Sequence, residues 1–423
     1  MERGKYLAPY RSLKTSVKFK GETTKYRDTF SSPTAKPEDT LYINFPSIKD
    51  ELIIPNTFGL SFDLKIVLDP SEPGTEVKTY PVNNLAANII SDFKVKIGSK
   101  YIYELNNAYL YNTYKDLWLT KYERKNRVIN GLQDVNLRKL RSDLKTRFVP
   151  SLPFMQVQKV YGKRYLIPIN FEMITDHMPI SGCLLDSQIT FEIKINSVKN
   201  VLNYANAETA NFELKNICLE FETIKDETLY KEIERDLITG TQFLYDHVHH
   251  YMREDVAKDQ TNLNVKITGL DRKSLKGILI LFEDEFEPGQ RDSEKFANPF
   301  ITNIKYTIDG LPNKLYSDGL KEADQWPEIC KHFILEEFKQ SRDINMDLEL
   351  YHTGNKFALW TDLRSTVDNT LHGTGKLQKS ENVIKMEITK TVLTSGKFIM
   401  HIFVVSDARI KIKDKKLLSF DCY

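Results

Sequence analysis

The sequence predicts an all-β protein made of two antiparallel β-sandwiches in tandem, each of jelly-roll size, with a few inserted helices. Three observations carry this. Short apolar–polar alternations bounded by turn residues recur along the chain, the pattern of half-buried strands. About one substantial helical period falls in each half, plus one between the halves, so the strand–helix alternation of parallel α/β folds is absent. One stretch also occurs twice. Ile90-Ser91-Asp92-Phe93-Lys94-Val95-Lys96-Ile97, closed by Gly98, matches Ile301-Thr302-Asn303-Ile304-Lys305-Tyr306-Thr307-Ile308, closed by Asp309-Gly310. The copies lie half a chain apart, and an aromatic-rich helical stretch (107–125 and 320–340) follows each. A repeat at that spacing implies duplication of a whole domain.

Composition fits two globular units. A chain of 423 residues has the length of two domains. With 60 basic against 58 acidic side chains, formal net charge is only +2, which gives no support to a chain-wide polyanion-binding surface. Cys183, Cys218, Cys330 and Cys422 lie far apart without a CxxC spacing, so neither a disulfide framework nor a zinc site is expected. No Asn-x-Ser/Thr sequon occurs, and Met1–Lys5 has no apolar signal core. The longest apolar runs, 277–282 and 398–405, are far below the roughly 20 residues of a membrane helix. The expectation is a soluble product made and kept inside a cell.

Taken in order, residues 1–40 form a basic arm rich in Arg and Lys, ending in Ser31-Ser32-Pro33 and Lys36-Pro37. A first β-domain is expected over 41–225. Leu60, Phe62, Leu64, Ile66 and Leu68 alternate with Ser61, Asp63, Lys65 and Val67 until the turn at Asp69–Gly74. Residues 107–125 switch to helical period, with Leu110, Tyr114, Leu117 and Trp118 on one face. Residues 126–163 are irregular and basic. Strands resume at 165–171 and 189–195, then at 212–214 and 217–221, where the shift in alternation predicts a bulge. Residues 226–250 are expected to be a helical connector, with Asp226 as N-cap and Leu229, Ile233 and Leu237 on one face. The second β-domain, 251–423, follows the same plan, with strands at 263–267, 277–282, 301–308, 346–350, 384–388 and 398–405 and a helix opening at Trp326-Pro327. Residues 409–417 look like an edge strand guarded by lysines.

No catalytic, cofactor or metal motif emerges. His247, His249 and His250 are the best metal candidates. Adjacent residues of a strand point apart, however, and no further ligand sits at zinc spacing. His372-Gly373-Thr374-Gly375-Lys376 echoes a phosphate loop but lacks its first Gly, at Thr370, and the Ser or Thr after the Lys, at Leu377; a turn is expected. Glu283-Asp284-Glu285 lacks the spaced loop of a calcium site. The chain is expected not to be an enzyme.

In the first half stand Tyr42-Ile43-Asn44-Phe45-Pro46, Ile53–Thr57, Val82-Asn83-Asn84-Leu85 with Lys94–Ile97, and Tyr111–Gly131; in the second stand Asn298-Pro299-Phe300, Ile308–Pro312, Tyr316 and Lys331-His332-Phe333. Together these stretches resemble double jelly-roll major capsid proteins, with the flavour of polinton-like viruses, adintoviruses and virophages. The resemblance spans most of 41–410 and implies a double jelly roll forming pseudo-hexagonal homotrimers that tile an icosahedral shell around double-stranded DNA. It further implies a virion location, assembly in the host cytoplasm or nucleus, contacts between capsomers, and a minor or penton capsid protein as partner. The Tyr-rich stretch Tyr101, Tyr103, Tyr109, Tyr111, Tyr114 and Trp118 is then a candidate for intersubunit burial, against ordinary core packing. Arg11, Lys14, Lys18 and Lys20 in the arm are candidates for inner-face contact with a minor protein or packaged DNA. The rival readings are an adhesive or carbohydrate-binding β-sandwich and an enzyme with a site assembled from scattered residues.

Overall fold

The computed structural model describes residues 22–29, 33–67, 79–142, 162–169, 171, 180–205, 210–270, 273–308, 311–312, 318–334, 343–366, 372–377, 384–393 and 396–422. The first half contains β1 (Glu22–Thr29), β2 (Thr40–Asn44), β3 (Leu52–Ile53), β4 (Gly59–Val67), β5 (Tyr80–Pro81), β6 (Ile90–Ile97), β7 (Lys100–Leu105), β8 (Arg164–Pro168), β9 (Ile189–Ile195), β10 (Leu202–Asn203) and β11 (Asn211–Lys225). The second contains β12 (Thr241–Ala257), β13 (Asn262–Ile267), β14 (Ser274–Asp284), β15 (Ile301–Ile308), β16 (Leu311–Pro312), β17 (Leu320–Lys321), β18 (Ala358–Asp362), β19 (Lys376–Leu377), β20 (Ile384–Lys390), β21 (Lys397–Lys413) and β22 (Lys416–Cys422).

Each half pairs two antiparallel sheets. The first has strand orders β1-β11-β4-β8 and β2-β9-β6-β7; the second has β12-β21-β14-β18 and β13-β20-β15-β16. The four-stranded orders of the two halves match strand for strand; β3, β17, β19 and β22 are additions to them, and β5 and β10 form a separate two-stranded sheet in the first half. Two crossed-over four-stranded sheets with this order form a jelly roll. The sequence repeat is therefore one structural position: β6 pairs with β7 and β9, and β15 with β16 and β20. Its central lysine even keeps its cross-strand partner, Lys94 opposite Glu192 and Lys305 opposite Glu387. Alternation puts the apolar residues inward. Phe62, Phe191 and Phe212 fill the first core, and Ile280, Tyr306 and Ile402 the second, all nearly inaccessible.

Helices occupy the connections: α1 (Leu85–Asn88), α2 (Ala108–Leu117), α3 (Lys121–Asn126), α4 (Val135–Ser142), α5 (Val198–Val201), α6 (Glu227–Thr239), α7 (Glu322–Phe333) and α8 (Leu348–His352). α6 is the connecting helix. Asp226 caps it by accepting from Thr228 and Leu229 N–H groups at 3.0 and 3.1 Å, and Leu229, Ile233 and Leu237 are buried. The bulge in β11 lies between Lys215 and Cys218, where Asn216 takes φ 51°. None of the helices among the described residues is long and apolar enough to cross a membrane.

Other expectations need correction. The helix over 107–125 breaks after Leu117, because Thr120 starts a separate helix with a capping box to Glu123. The irregular segment 126–163 contains α4, whose Leu137 and Leu140 are buried. There the Arg141 guanidinium stacks 3.8 Å over Tyr165 and donates to the carbonyls of Gly162, Val128 and Arg164. Residues 348–352 are helical, not extended, since Asp347 accepts from Leu350 N–H at 2.8 Å and caps a turn. α7 starts four residues before Trp326, with Pro327 inside it. Residues 409–413 belong to a central strand, flanked by β12 and β22, so their lysines guard no edge. The boundaries also differ from those expected. Glu22–Thr29, placed in the arm, is a strand of the first sheet, and β12 begins at Thr241 within the expected connector.

Candidate assembly surfaces and the seam between the barrels

The two barrels meet along a packed seam. β7, an end strand of the first barrel, lies against the edge of β12, an end strand of the second. Tyr103 packs edge-on against His247 at 5.3 Å between centroids, and the Tyr245 hydroxyl donates to the Ile102 carbonyl. Past β7, α2 lays its aromatics on the second barrel. Tyr111 meets Phe403 at 5.8 Å, and Tyr114 meets Phe296 and Phe333 at 5.1 and 5.3 Å. Trp118 stacks on Trp326 and Phe333. Burial of this aromatic area, about 25 cal/mol per Å², is the main adhesive.

A polar chain runs through the same seam. Asn107 Nδ2 donates to His250 Nδ1 at 3.2 Å, and His250 Nε2 lies 3.2 Å from His401 Nδ1. His401 Nε2 faces Glu283 Oε2 at 3.3 Å, and Glu283 Oε1 meets Arg291 Nη2 at 3.3 Å. Arg291 then crosses back, donating to Asn88 Oδ1 at 3.0 Å and to the Asn200 carbonyl at 2.8 Å. The amide donor at Nδ1 puts the His250 proton on Nε2, where it faces His401 Nδ1. Burial disfavours the Glu283 carboxylate, yet the His401 hydrogen bond and the Arg291 charge outweigh it and hold the carboxyl below its ordinary range. Burial, then the neighbouring His401, pushes the His250 imidazole down to about 4. Further contacts close the rim: Arg124 to Glu294 at 2.7 Å, Ser293 to the Asn83 carbonyl at 2.8 Å, and Thr120 bridged to Ile344.

The predicted residues divide accordingly. Tyr109, Tyr111, Tyr114 and Trp118 are buried in this seam within one chain, and Tyr103 is half-buried there. Their aromatic surface serves barrel-to-barrel contact inside the subunit. Tyr101 alone of the six is exposed, at 41%, with Lys94 and Lys96 over its ring and its hydroxyl on Glu192. Tyr42, 60% exposed on the same sheet face opposite Glu192, was not singled out from sequence. Arg11, Lys14, Lys18 and Lys20 lie outside the described residues.

The metal and phosphate motifs resolve into internal contacts. His247 turns to Tyr103 and Phe420, His249 to Tyr251, and His250 to His401 and Phe403, so the triplet does not converge. Asp246, His372 and Asp407 do converge. There the Lys276 ammonium stands 2.6 Å from Asp246, supplying the positive charge. The glycine loop wraps a carboxylate of its own chain. Asp407 accepts from Gly373 and Gly375 N–H groups at 2.7 and 3.0 Å and from the Ser274 hydroxyl at 2.6 Å. Of the acidic run, Glu283 faces Arg291, and Asp284 meets Lys258 and Lys295, each at 2.8 Å.

No protein-family model matches the chain, and no curated sequence matches it. Solved structures do. The PBCV-1 protein VP54, fitted into a reconstruction of the virophage Sputnik, superposes with a TM-score of 0.59 at 10% identity over 93% of this chain and 95% of its own. The Sputnik virophage structure gives 0.59 at 10% identity, over 96% and 89%. The Faustovirus major capsid protein gives 0.58 at 8% identity, over 94% and 91%. The fold is the double jelly roll. Both barrels and their order in the chain are shared with these structures over nearly full length. In this double jelly roll the loop from β7 to β8 of the first barrel carries the helices that form the seam.

Proposed function

We propose that this chain is a structural major capsid protein. Three copies close into a pseudo-hexagonal capsomer, and capsomers tile an icosahedral shell around double-stranded DNA. One observation carries this reading: the same eight-stranded barrel occurs twice, strand for strand, in one chain. Two similar barrels repeated by threefold symmetry present six similar edges, and a six-edged tile covers a closed lattice with one kind of subunit. The likeness to virophage and Faustovirus capsid structures over more than nine-tenths of the chain supports it. The converging polar groups engage one another, which favours a structural over a catalytic role.

The finer parts of this reading are also proposals: contact with a minor or penton protein, weak contact with packaged DNA through the basic residues 1–20, and assembly inside the host cell. The test is the mass of the recombinant chain by size exclusion with light scattering, followed by electron microscopy of the peak. A species of three times 49.2 kDa with hexagonal outlines is expected. A monomer that stays monomeric at assembly concentrations would overturn the reading.

A further inference from the structure

Barrel one covers a group of ionisable side chains of barrel two with α2 and the residue before it. Tyr109 lies under the Arg291 guanidinium at 5.0 Å, and Tyr111 packs on Phe403, whose ring is 4.9 Å from that of His250. Asn107 enters the helix in left-handed backbone, φ 50°, and its side chain caps no N–H of α2. Its amide is thereby left for His250 Nδ1 at 3.2 Å, while its own N–H donates to Asp92 Oδ1 at 3.2 Å. The charged and titratable groups around this imidazole are His249 and Arg253 from β12, His401 from β21, Glu283 from β14, Arg291 from the loop after it, and Asp92 from β6. Glu283 is already shared by Arg291 and His401, and Asp92 faces Lys194 at 3.9 Å. A proton added to His250 Nδ1 therefore sets donor against donor at Asn107 and a cation beside Arg253. Turning the Asn107 amide over supplies an acceptor but no compensating charge.

We infer that the seam is an acid-released latch: when His250 takes up a proton, α2 of barrel one lifts from barrel two while each barrel keeps its own core. The contact lies within one chain, so the inference goes beyond the capsomer reading and does not depend on it. The bistable element is the docking of two barrels, each closed around its own apolar residues, across a polar chain that only the docked state assembles. Closing the seam holds the His250 imidazole down at about 4, against roughly 6.5 for a solvated histidine. Above pH 6.5 the site is neutral in both forms and pH has no leverage. Between those values the open form binds the proton more tightly, so each unit of acidification should favour opening by about tenfold. His247, buried in the same seam against Tyr103 of β7 and Phe420 of β22 with Lys273 nearby, adds a second proton of the same sign.

The test is an acid titration of the full-length chain from about pH 7.5 to about pH 4.5, spanning the range in which the two forms differ in proton affinity. Trp118 of the first half stacks on Trp326 of α7 across the seam, so near-UV circular dichroism reports the docking, while far-UV circular dichroism reports the strands. The near-UV signal is expected to fall while the far-UV signal holds. His250→Gln, which takes up no proton, should leave only the dependence due to His247, and His250→Gln with His247→Phe should abolish it. Asn107→Asp sets a carboxylate against the imidazole and should keep the seam shut in acid, an outcome that mere packing at this position does not produce. A near-UV signal that stays level to the end of the titration, or falls together with the far-UV signal, would overturn the inference. So would a wild-type profile in His250→Gln or acid opening of Asn107→Asp. If His250→Gln is already undocked at neutral pH, Asn107→Asp, which keeps the histidine, decides.

Discussion

Arg291 of the second barrel places its guanidinium 3.0 Å from the side-chain oxygen of Asn88 in the first, while its other nitrogen faces Glu283. A side chain only 2% exposed thus carries a charge across the seam. Removing one member of a buried pair leaves the other charged and unsolvated. Arg291→Met is expected to lower stability by about 3–5 kcal/mol, measured by urea denaturation at neutral pH. Glu283→Gln with Arg291→Met together should cost less than the sum of the two, because neither leaves a lone charge.

Acid should weaken the fold in two stages. Burial, then Lys273, pushes the His247 imidazole down to about 3, and His250 lies at about 4. Both values are below that of an unfolded histidine, roughly 6.5. Above pH 6.5 the neutral form prevails in both states and there is no penalty. As pH falls below 6.5 the unfolded chain takes up protons that the folded chain refuses, so stability drops until the folded values are reached. The depressed carboxyls of Glu283 and Asp284 add loss only below their unfolded range, near pH 4.5. The urea midpoint should therefore be flat above pH 7 and decline from pH 6.5 to 4.5. His247→Phe should flatten that decline; an unchanged slope would refute the assignment.

Trp118 and Tyr101 should behave oppositely. Trp118→Ala opens a hole between Trp326 and Phe333 and is expected to cost about 3–5 kcal/mol of stability. Tyr101→Ala touches an exposed ring and should stay within about 0.5 kcal/mol. Melting curves of the two variants separate the roles. Tyr109→Ala with Tyr111→Ala should likewise lower the melting temperature of the chain itself, since both rings are buried within it.

The glycine loop at 372–376 should ignore nucleotides. Its amides already hold Asp407. ATP or inorganic phosphate at millimolar concentration is expected to leave the melting temperature unchanged. Asp407→Asn, which removes a charged acceptor from three donors, should cost about 2–3 kcal/mol by urea denaturation.

Periodicity made the strands of both barrels legible, along with the capped helix after Asp226 and the bulge near Asn216. Each is set by residues within a few positions of one another. The duplication was legible as Ile90–Ile97 and Ile301–Ile308 because one strand position, with its inward apolar set and outward lysine, survives in both barrels. Local reading failed where a cap or a partner decided the outcome. Asp347 turns an alternating stretch into a helix, and a central position in the sheet overrides the edge-like lysines at 411 and 413.

The sequence by itself determined two all-β units, their order and the lack of a recognisable catalytic motif, since composition, alternation and turn chemistry are written along the chain. Only the tertiary structure decided what the aromatic helix and the buried charges are for. Tyr114 is inward-facing on any reading of its helix. Whether it faces its own barrel, its neighbour in the chain or another copy depends on contacts more than two hundred residues away, such as its hydroxyl on the Lys356 carbonyl. Asn88, Arg291, Glu283, His401, His250 and Asn107 form one polar chain only where the two barrels meet. Spacing in sequence carries no trace of that, because the distances that join them are set by how two sandwiches pack.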